Sequence, residues 1–271
     1  MVGFSEAWAG PVTGFVAHLG AADRSPQTVQ TRVYQLDRFA RGFPGGPDSV
    51  SECGLEAWLA SQQWSTETRR SMRTCLRTFF AWAAKHGHCS QNPADDLPSV
   101  KRPGPRPRPV PEDSWKAARA AAEPRVRLMI DLAAQLGLRR AEIAQVHRRD
   151  VLHDMFGWSL VVHGKGRKDR VVPLPDCLAE RLLEAPGWVF PSDEPDKPLT
   201  PDRVGRLIRK AARGEWSAHQ LRHRFATTVF GTTGDLLSTQ QLLGHSSPAT
   251  TQSYVLLAQD RLRTAAAAAV A

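Results

Sequence analysis

Apolar positions recur with a helical period along most of the chain. Phe4, Trp8, Val12, Phe15, Val16 and Leu19 share one face of a first segment, where Gly10-Pro11 is expected to kink or restart the helix. Ser25-Pro26 reads as a cap and first-turn pair, opening an amphipathic run through Val29, Val33, Leu36, Phe39 and Ala40. Leu55, Trp58 and Leu59 mark a short third helix. Ser65 starts a longer one striped by Met72, Leu76, Phe79, Phe80 and Ala83. The period then breaks. Residues 97–111 alternate proline with other residues, which forbids helix and favours an extended, semi-rigid strap. Helical spacing resumes from Pro111 to Ala122 and again from Pro124, through Val126, Met129, Ile130, Leu132, Ala133 and Leu136 to a terminating Gly137. From Trp158 to His163 the alternation is twofold. Gly164-Lys165-Gly166 makes a turn and Arg170-Val-Val-Pro-Leu returns, so this stretch is a hairpin. The pattern predicts a mainly α chain: a helical bundle over 1–96, a connector over 97–111, and an α-rich second domain with a small antiparallel β-sheet or hairpin over 112–271.

Charge adds a partner to this picture. The chain has 271 residues and a formal charge of +9, enough length for two domains with their own cores. Residues 1–100 carry nine basic and nine acidic side chains, whereas residues 101–271 carry 27 basic against 18 acidic. The whole excess falls on the connector and second half, as expected of a nucleic-acid footprint. In the neutral first half, Arg69, Arg73 and Arg77 stack along one helix edge. An isolated row of this kind is commonly a solvated face; concentrated on one helix of a neutral domain, it points to DNA phosphates. Lys101, Arg102, Arg106 and Arg108 give the strap a charge that a plain linker does not need, so it is expected to cross phosphates between two domains clamping a duplex. Arg206 lies on a basic helix face from Asp202 with Arg203, Arg209, Lys210 and Arg213, a further phosphate-tracking surface. Lys168 is either a solvated lysine or a phosphate contact.

Composition excludes other classes. Cys53, Cys75, Cys89 and Cys177 are widely spaced and read as reduced, buried thiols. His86, His88 and Cys89 have no second ligand pair, so no metal site and no cofactor are expected. No run reaches the ~18 apolar residues of a membrane-spanning helix, and no signal pattern opens the chain. The expected location is the cytoplasm.

The densest chemistry lies between Ala218 and Tyr254. His219 and Arg222, three apart, project from one helix face. His245 follows a glycine in Leu-Leu-Gly-His, and Tyr254 comes nine residues later, in a short helix that Ser247 can cap and Pro248 can open. Two imidazoles, a guanidinium and a phenol suggest acid–base chemistry on an anionic, oxygen-rich substrate. The stretch resembles the C-terminal signature of the tyrosine recombinases, the phage integrase and Xer family: His-x-x-Arg, Leu-Gly-His, then the nucleophilic tyrosine. Gly-Leu-Arg-Arg-Ala-Glu from Gly137 resembles the family's first arginine motif, and Gly-Lys-Gly-x-Lys-x-Arg from Gly164 its catalytic-lysine turn. Ala218 departs from the family, which often has proline there.

The resemblance implies the catalytic set Arg139, Lys165, His219, Arg222, His245 and Tyr254, with Glu142 orienting Arg139 or His219. It implies a SAM-like core-binding bundle, a 3′-phosphotyrosyl intermediate, strand exchange through a Holliday junction, and a homotetramer on double-stranded attachment or core sites. The free protein is then a monomer or weak oligomer. Integration of phage or other mobile DNA, with an accessory directionality factor, fits this reading. The alternatives are a DNA-binding regulator that has kept the fold without catalysis, and a topoisomerase or telomere resolvase of related chemistry. After Tyr254, Leu256–Leu262 is expected to dock in a neighbouring protomer. The alanine-rich end is either an idle extension or a signal for a ClpXP-type protease.

Overall fold

The computed structural model describes residues 3–101, 110–164 and 168–244. The chain divides into two compact units, Met1–Gly104 and Pro105–Ala271.

The first unit is helical: α1 (Glu6–Ala21), α2 (Pro26–Ala40), a 3-10 turn at Pro47–Ser49, α3 (Glu52–Ser61) and α4 (Thr66–Lys85). Ser25, Ser51 and Ser65 cap their helices by accepting from the backbone N–H three residues on. Helix α1 runs on through Pro11 and does not restart there. Trp8, Val12 and Phe15, all buried on either side of the proline, anchor both turns to the core. That core is aromatic. Trp8 stacks on Phe79 at 5.6 Å, Phe15 meets Phe79 edge-on at 5.3 Å, and Phe39 meets Trp58 edge-on at 4.8 Å. His86 and His88 stack on Trp82. Of the four cysteines, Cys75 and Cys89 are buried, but Cys53 and Cys177 are exposed, contrary to expectation. Each of the exposed two sits in the first turn of its helix, on the outward side.

The second unit opens with α5 (Glu112–Ala121) and α6 (Pro124–Gln135), then the short α7 (Arg140–Ala144) and a 3-10 turn at Arg148–Asp150. The sheet is a three-stranded antiparallel meander: β1 (Val151–Asp154), β2 (Gly157–His163) and β3 (Asp169–Pro173). Helix α8 (Asp176–Leu183) packs against it. Then come α9 (Pro201–Ala211), α10 (Ala218–Thr233) and α11 (Leu236–Leu243). Strand β1 adds to the expected hairpin. Met129, Ile130, Leu132 and Ala133 of α6 form the centre of the core, with Leu221 of α10 and Val204 and Ile208 of α9. Asp131 lies fully buried on the same helix, held by Arg119 and Arg181. Among the described residues no helix is long and apolar enough to cross a membrane.

Candidate active site

Glu142 is the hub. Its carboxylate is 3% exposed and accepts from the Arg139 backbone N–H at 2.8 Å, closing the first turn of α7. Arg139 Nη1 donates to Oε1 at 2.6 Å. Arg170, from β3, donates to both oxygens, Nη1 to Oε1 at 2.9 Å and Nη2 to Oε2 at 2.8 Å. Arg222, from α10, lies 3.8 Å from Oε2. One carboxylate thus gathers three guanidiniums from three distant stretches. Burial pushes the Glu142 pKa up, but the hydrogen bonds and charges of Arg170 and Arg139 outweigh it and hold the group down at about 2.

The same arginines read the end of α11. Arg170 Nε donates to the Leu242 carbonyl at 2.8 Å, Arg222 Nη2 to that of Leu243 at 2.5 Å, and Arg139 Nη2 to that of Gly244 at 3.2 Å. A helix terminus leaves its last carbonyls without intrahelical donors and carries partial negative charge, so cations suit it. Gly244 ends α11 in the left-handed region, at φ +61°, and the next residue is His245. Arg222, 2% exposed, also donates from Nη1 to the Gly137 carbonyl at 2.5 Å. Gly137 needs its left-handed φ of +65°, and a Cβ there would lie 2.4 Å from the Phe225 ring.

His219 sits one turn before His223 on α10, capped by Ser217 and Gln220, and their Nε2 atoms are 2.9 Å apart. Desolvation, then the charges of Arg222 and Arg139, hold His219 below its usual pKa. Burial, then His219 and Arg222, push His223 to about 4. Both rings are therefore neutral near pH 7, and one donates the shared hydrogen to the other. A neutral His219 has a lone pair to take a proton. Beside it opens a cleft of about 530 Å³ lined by Arg140, Asp202, Arg206, Arg209 and His219. Arg140 pairs with Asp202 at 3.2 Å, while Arg206 stays exposed.

The structure thus brings Arg139, Glu142, His219 and Arg222 together. Lys165, His245 and Tyr254 lie outside the described residues, as do Arg102, Arg106, Arg108, Ser247-Pro248, Leu256–Leu262 and the alanine-rich end. Lys101 and Lys168 are exposed. The row expected on α4 divides. Arg69 donates to the Leu59 and Gln62 carbonyls at 3.0 and 2.9 Å, tying α4 to the end of α3. Arg73 Nε donates to the Leu97 carbonyl at 3.2 Å, and burial, then Arg77, lowers its pKa. Arg77 alone of the three is exposed. Arg170 is the functional-site residue the sequence reading missed. Its only signal was its place, in the turn motif and one residue into a strand whose neighbours alternate in burial. Among the described residues no group of three or more His, Cys, Asp or Glu is placed to hold a metal ion.

Comparison with known proteins gives the family. The sequence profile of the Phage integrase family matches residues 112–261. The chain belongs to that family, the tyrosine recombinases. Tyrosine recombinase XerD of Caulobacter vibrioides is 31% identical over 95% of this chain and 94% of its own length. Tyrosine recombinase XerC of Alcanivorax borkumensis is 32% identical over 91% and 89%. The fold matches lambda integrase, solved as a tetramer bound to a Holliday junction, with a TM-score of 0.73 and 19% identity over 90% of this chain and 76% of that one. The chain is a site-specific DNA recombinase of the tyrosine type.

Proposed function

We propose that this recombinase cuts DNA with Tyr254 and rejoins it through a 3′-phosphotyrosyl intermediate, exchanging strands by way of a Holliday junction. The tyrosine oxygen attacks phosphorus as the bond to the 5′ oxygen breaks. His219 takes the phenol proton, and Lys165 gives one to the departing 5′ oxygen. Arg139, Arg222 and His245 neutralise the non-bridging oxygens as charge grows on them. Glu142 orients Arg139. The observation that carries this reading is the Glu142 hub: Arg139 and Arg222 are fixed around one carboxylate, beside a neutral His219, and both hold the helix end that leads into His245.

The partner is double-stranded DNA at attachment or core sites, bound by a core-binding bundle over 1–96, a strap over 97–111 and a catalytic domain over 112–271. Arg77, Lys101, Lys168 and Arg206 are the exposed basic residues proposed to meet phosphates; Arg102, Arg106 and Arg108 join them on charge alone. The active form is a homotetramer across two sites, as in the lambda integrase assembly, and the reaction serves integration of phage or other mobile DNA in the cytoplasm. A directionality factor and a ClpXP-type protease have no described residue behind them and form no part of this mechanism.

A nicked suicide substrate tests the reading, because the cleaved flank diffuses away and traps the adduct. The wild-type chain becomes covalently joined to DNA, and Tyr254→Phe binds DNA without an adduct. Specific binding with no wild-type adduct would instead make the chain a DNA-binding regulator; an adduct in Tyr254→Phe would move the nucleophile elsewhere.

A further inference from the structure

A second charged cluster stands apart from the arginine hub, on the outward face of the sheet. His163 ends β2 and is the register partner of Asp169 at the start of β3. Val151 pairs with Leu160 on the buried face, so Asp150, one residue earlier, falls on the same outward face as His163. The side chains meet there. His163 Nδ1 is 3.0 Å from Asp169 Oδ2, and Nε2 is 3.2 Å from Asp150 Oδ1. A neutral imidazole has one N–H, and ionised carboxylates have none, so only the imidazolium makes both bonds. The hydrogen bond to Asp150 first, and that to Asp169, raise the His163 pKa in spite of partial burial.

The two ends of this clasp differ. Asp150 is 9% exposed at its side chain and built into the 3-10 turn, where it accepts from the His147 backbone N–H at 3.3 Å; Arg149 lies 4.0 Å away. Asp169 is half-exposed and opens β3. Residues 164–168 join the two strands, and Lys165 falls within that stretch of the sequence. The neck of this connection is tight, since a Cβ on Gly164 would lie 2.4 Å from the Lys168 carbonyl oxygen. The clasp therefore fastens the neck of the connection to the body of the unit, where strand pairing alone would hold it.

We propose that the Asp150–His163–Asp169 clasp positions Lys165, and that His163 thereby controls protonation of the leaving 5′ oxygen. This rests on the reading of Lys165 as the general acid. A lysine ammonium rides on a flexible four-carbon stem, so its aim depends on where its backbone is fixed. A misplacement of about 1 Å can cost on the order of 10²-fold in rate. His163 touches no reacting atom; it is a positioning residue.

The test compares cleavage of a natural substrate with one whose 5′-bridging oxygen is sulfur, a leaving group that needs no proton. Lys165→Ala serves as the reference. In His163→Ala the ratio of sulfur to natural cleavage rises at least about tenfold over wild type, in the direction of Lys165→Ala, with DNA binding unchanged. His163→Gln, which keeps one donor, falls between. A merely structural defect slows both substrates alike. If sulfur rescues Lys165→Ala while the ratio in His163→Ala stays at the wild-type value, the clasp does not position the lysine. If sulfur fails to rescue Lys165→Ala, the acid itself is misassigned and the clasp falls with it.

Discussion

Arg170 and Glu142 form a two-pronged ion pair in which each carboxylate oxygen accepts one guanidinium N–H, at 2.9 and 2.8 Å. Neither residue faces the cleft beside His219, yet the pair sets the charge balance of the site. Without it, Arg139 and Arg222 would repel across a buried gap.

Arg170→Ala therefore leaves a buried carboxylate short of its strongest partner. Removing one partner of a buried pair costs about 3–5 kcal/mol. The expected result is a loss of that size in urea unfolding, together with a loss of cleavage. Arg170→Lys, which keeps charge but not the fork, recovers only part of either.

Glu142 also gives the protein an acid limit. Its folded pKa, about 2, lies below the ordinary value of 4.5, so its stabilising effect is present above pH 4.5 and fades as pH falls towards about 2. The shift is on the order of 3 kcal/mol. Glu112, held near about 2 by the Arg224 hydrogen bond, is half exposed and contributes less after solvent screening. Unfolding free energy measured between pH 5 and pH 2 should fall in the wild type, and fall less steeply in Glu142→Gln, whose stability starts lower.

The two arginines proposed to meet the phosphate should separate in stability. Arg139 is 39% exposed at its side chain, and Glu142 keeps Arg170 when Arg139 is lost. Arg222 is 2% exposed and holds the Gly137 and Leu243 carbonyls. Both Ala variants lose cleavage on the suicide substrate. By thermal unfolding Arg139→Ala stays within about 1 kcal/mol of wild type, whereas Arg222→Ala loses about 3 kcal/mol or more.

Gly137→Ala tests the joint between α6 and α7. The new methyl would meet Phe225 Cδ1 at 2.4 Å in a left-handed backbone. Overpacking costs about 1–3 kcal/mol and the left-handed conformation about 1–2 more. Because the Gly137 carbonyl is an Arg222 acceptor, the rate of cleavage should drop further than lost folding explains.

On α4 the contrast is between Arg77 and Arg69. Arg77→Ala should weaken DNA binding and lower the slope of log affinity against log salt by about 1, with unchanged stability. Arg69→Ala frees the Leu59 and Gln62 carbonyls and should lower stability instead.

Helical periods, serine caps and the Gly137 stop were legible because each rests on local geometry. So were the positions of Arg139, His219 and Arg222, through their motifs. Arg170 was not, since its partner lies 28 residues earlier and only the fold makes them neighbours. The α4 row misled for a related reason. Stacking along one edge is visible in a sequence, but carbonyls of Leu59, Gln62 and Leu97 that take up two of its members are not.

Three arginines from separate segments grip three successive carbonyls, Leu242, Leu243 and Gly244. They grip main chain, so the side chains at these positions are unread by them and the path of the backbone is what they hold. Opening any one of the contributing segments strands the other two on the same helix end. Amide hydrogen exchange should register this as shared slow opening, with the Leu138, Ile143 and Gly244 amides losing protection together rather than in sequence. The chemical centre would then behave as one cooperative unit, intact or absent.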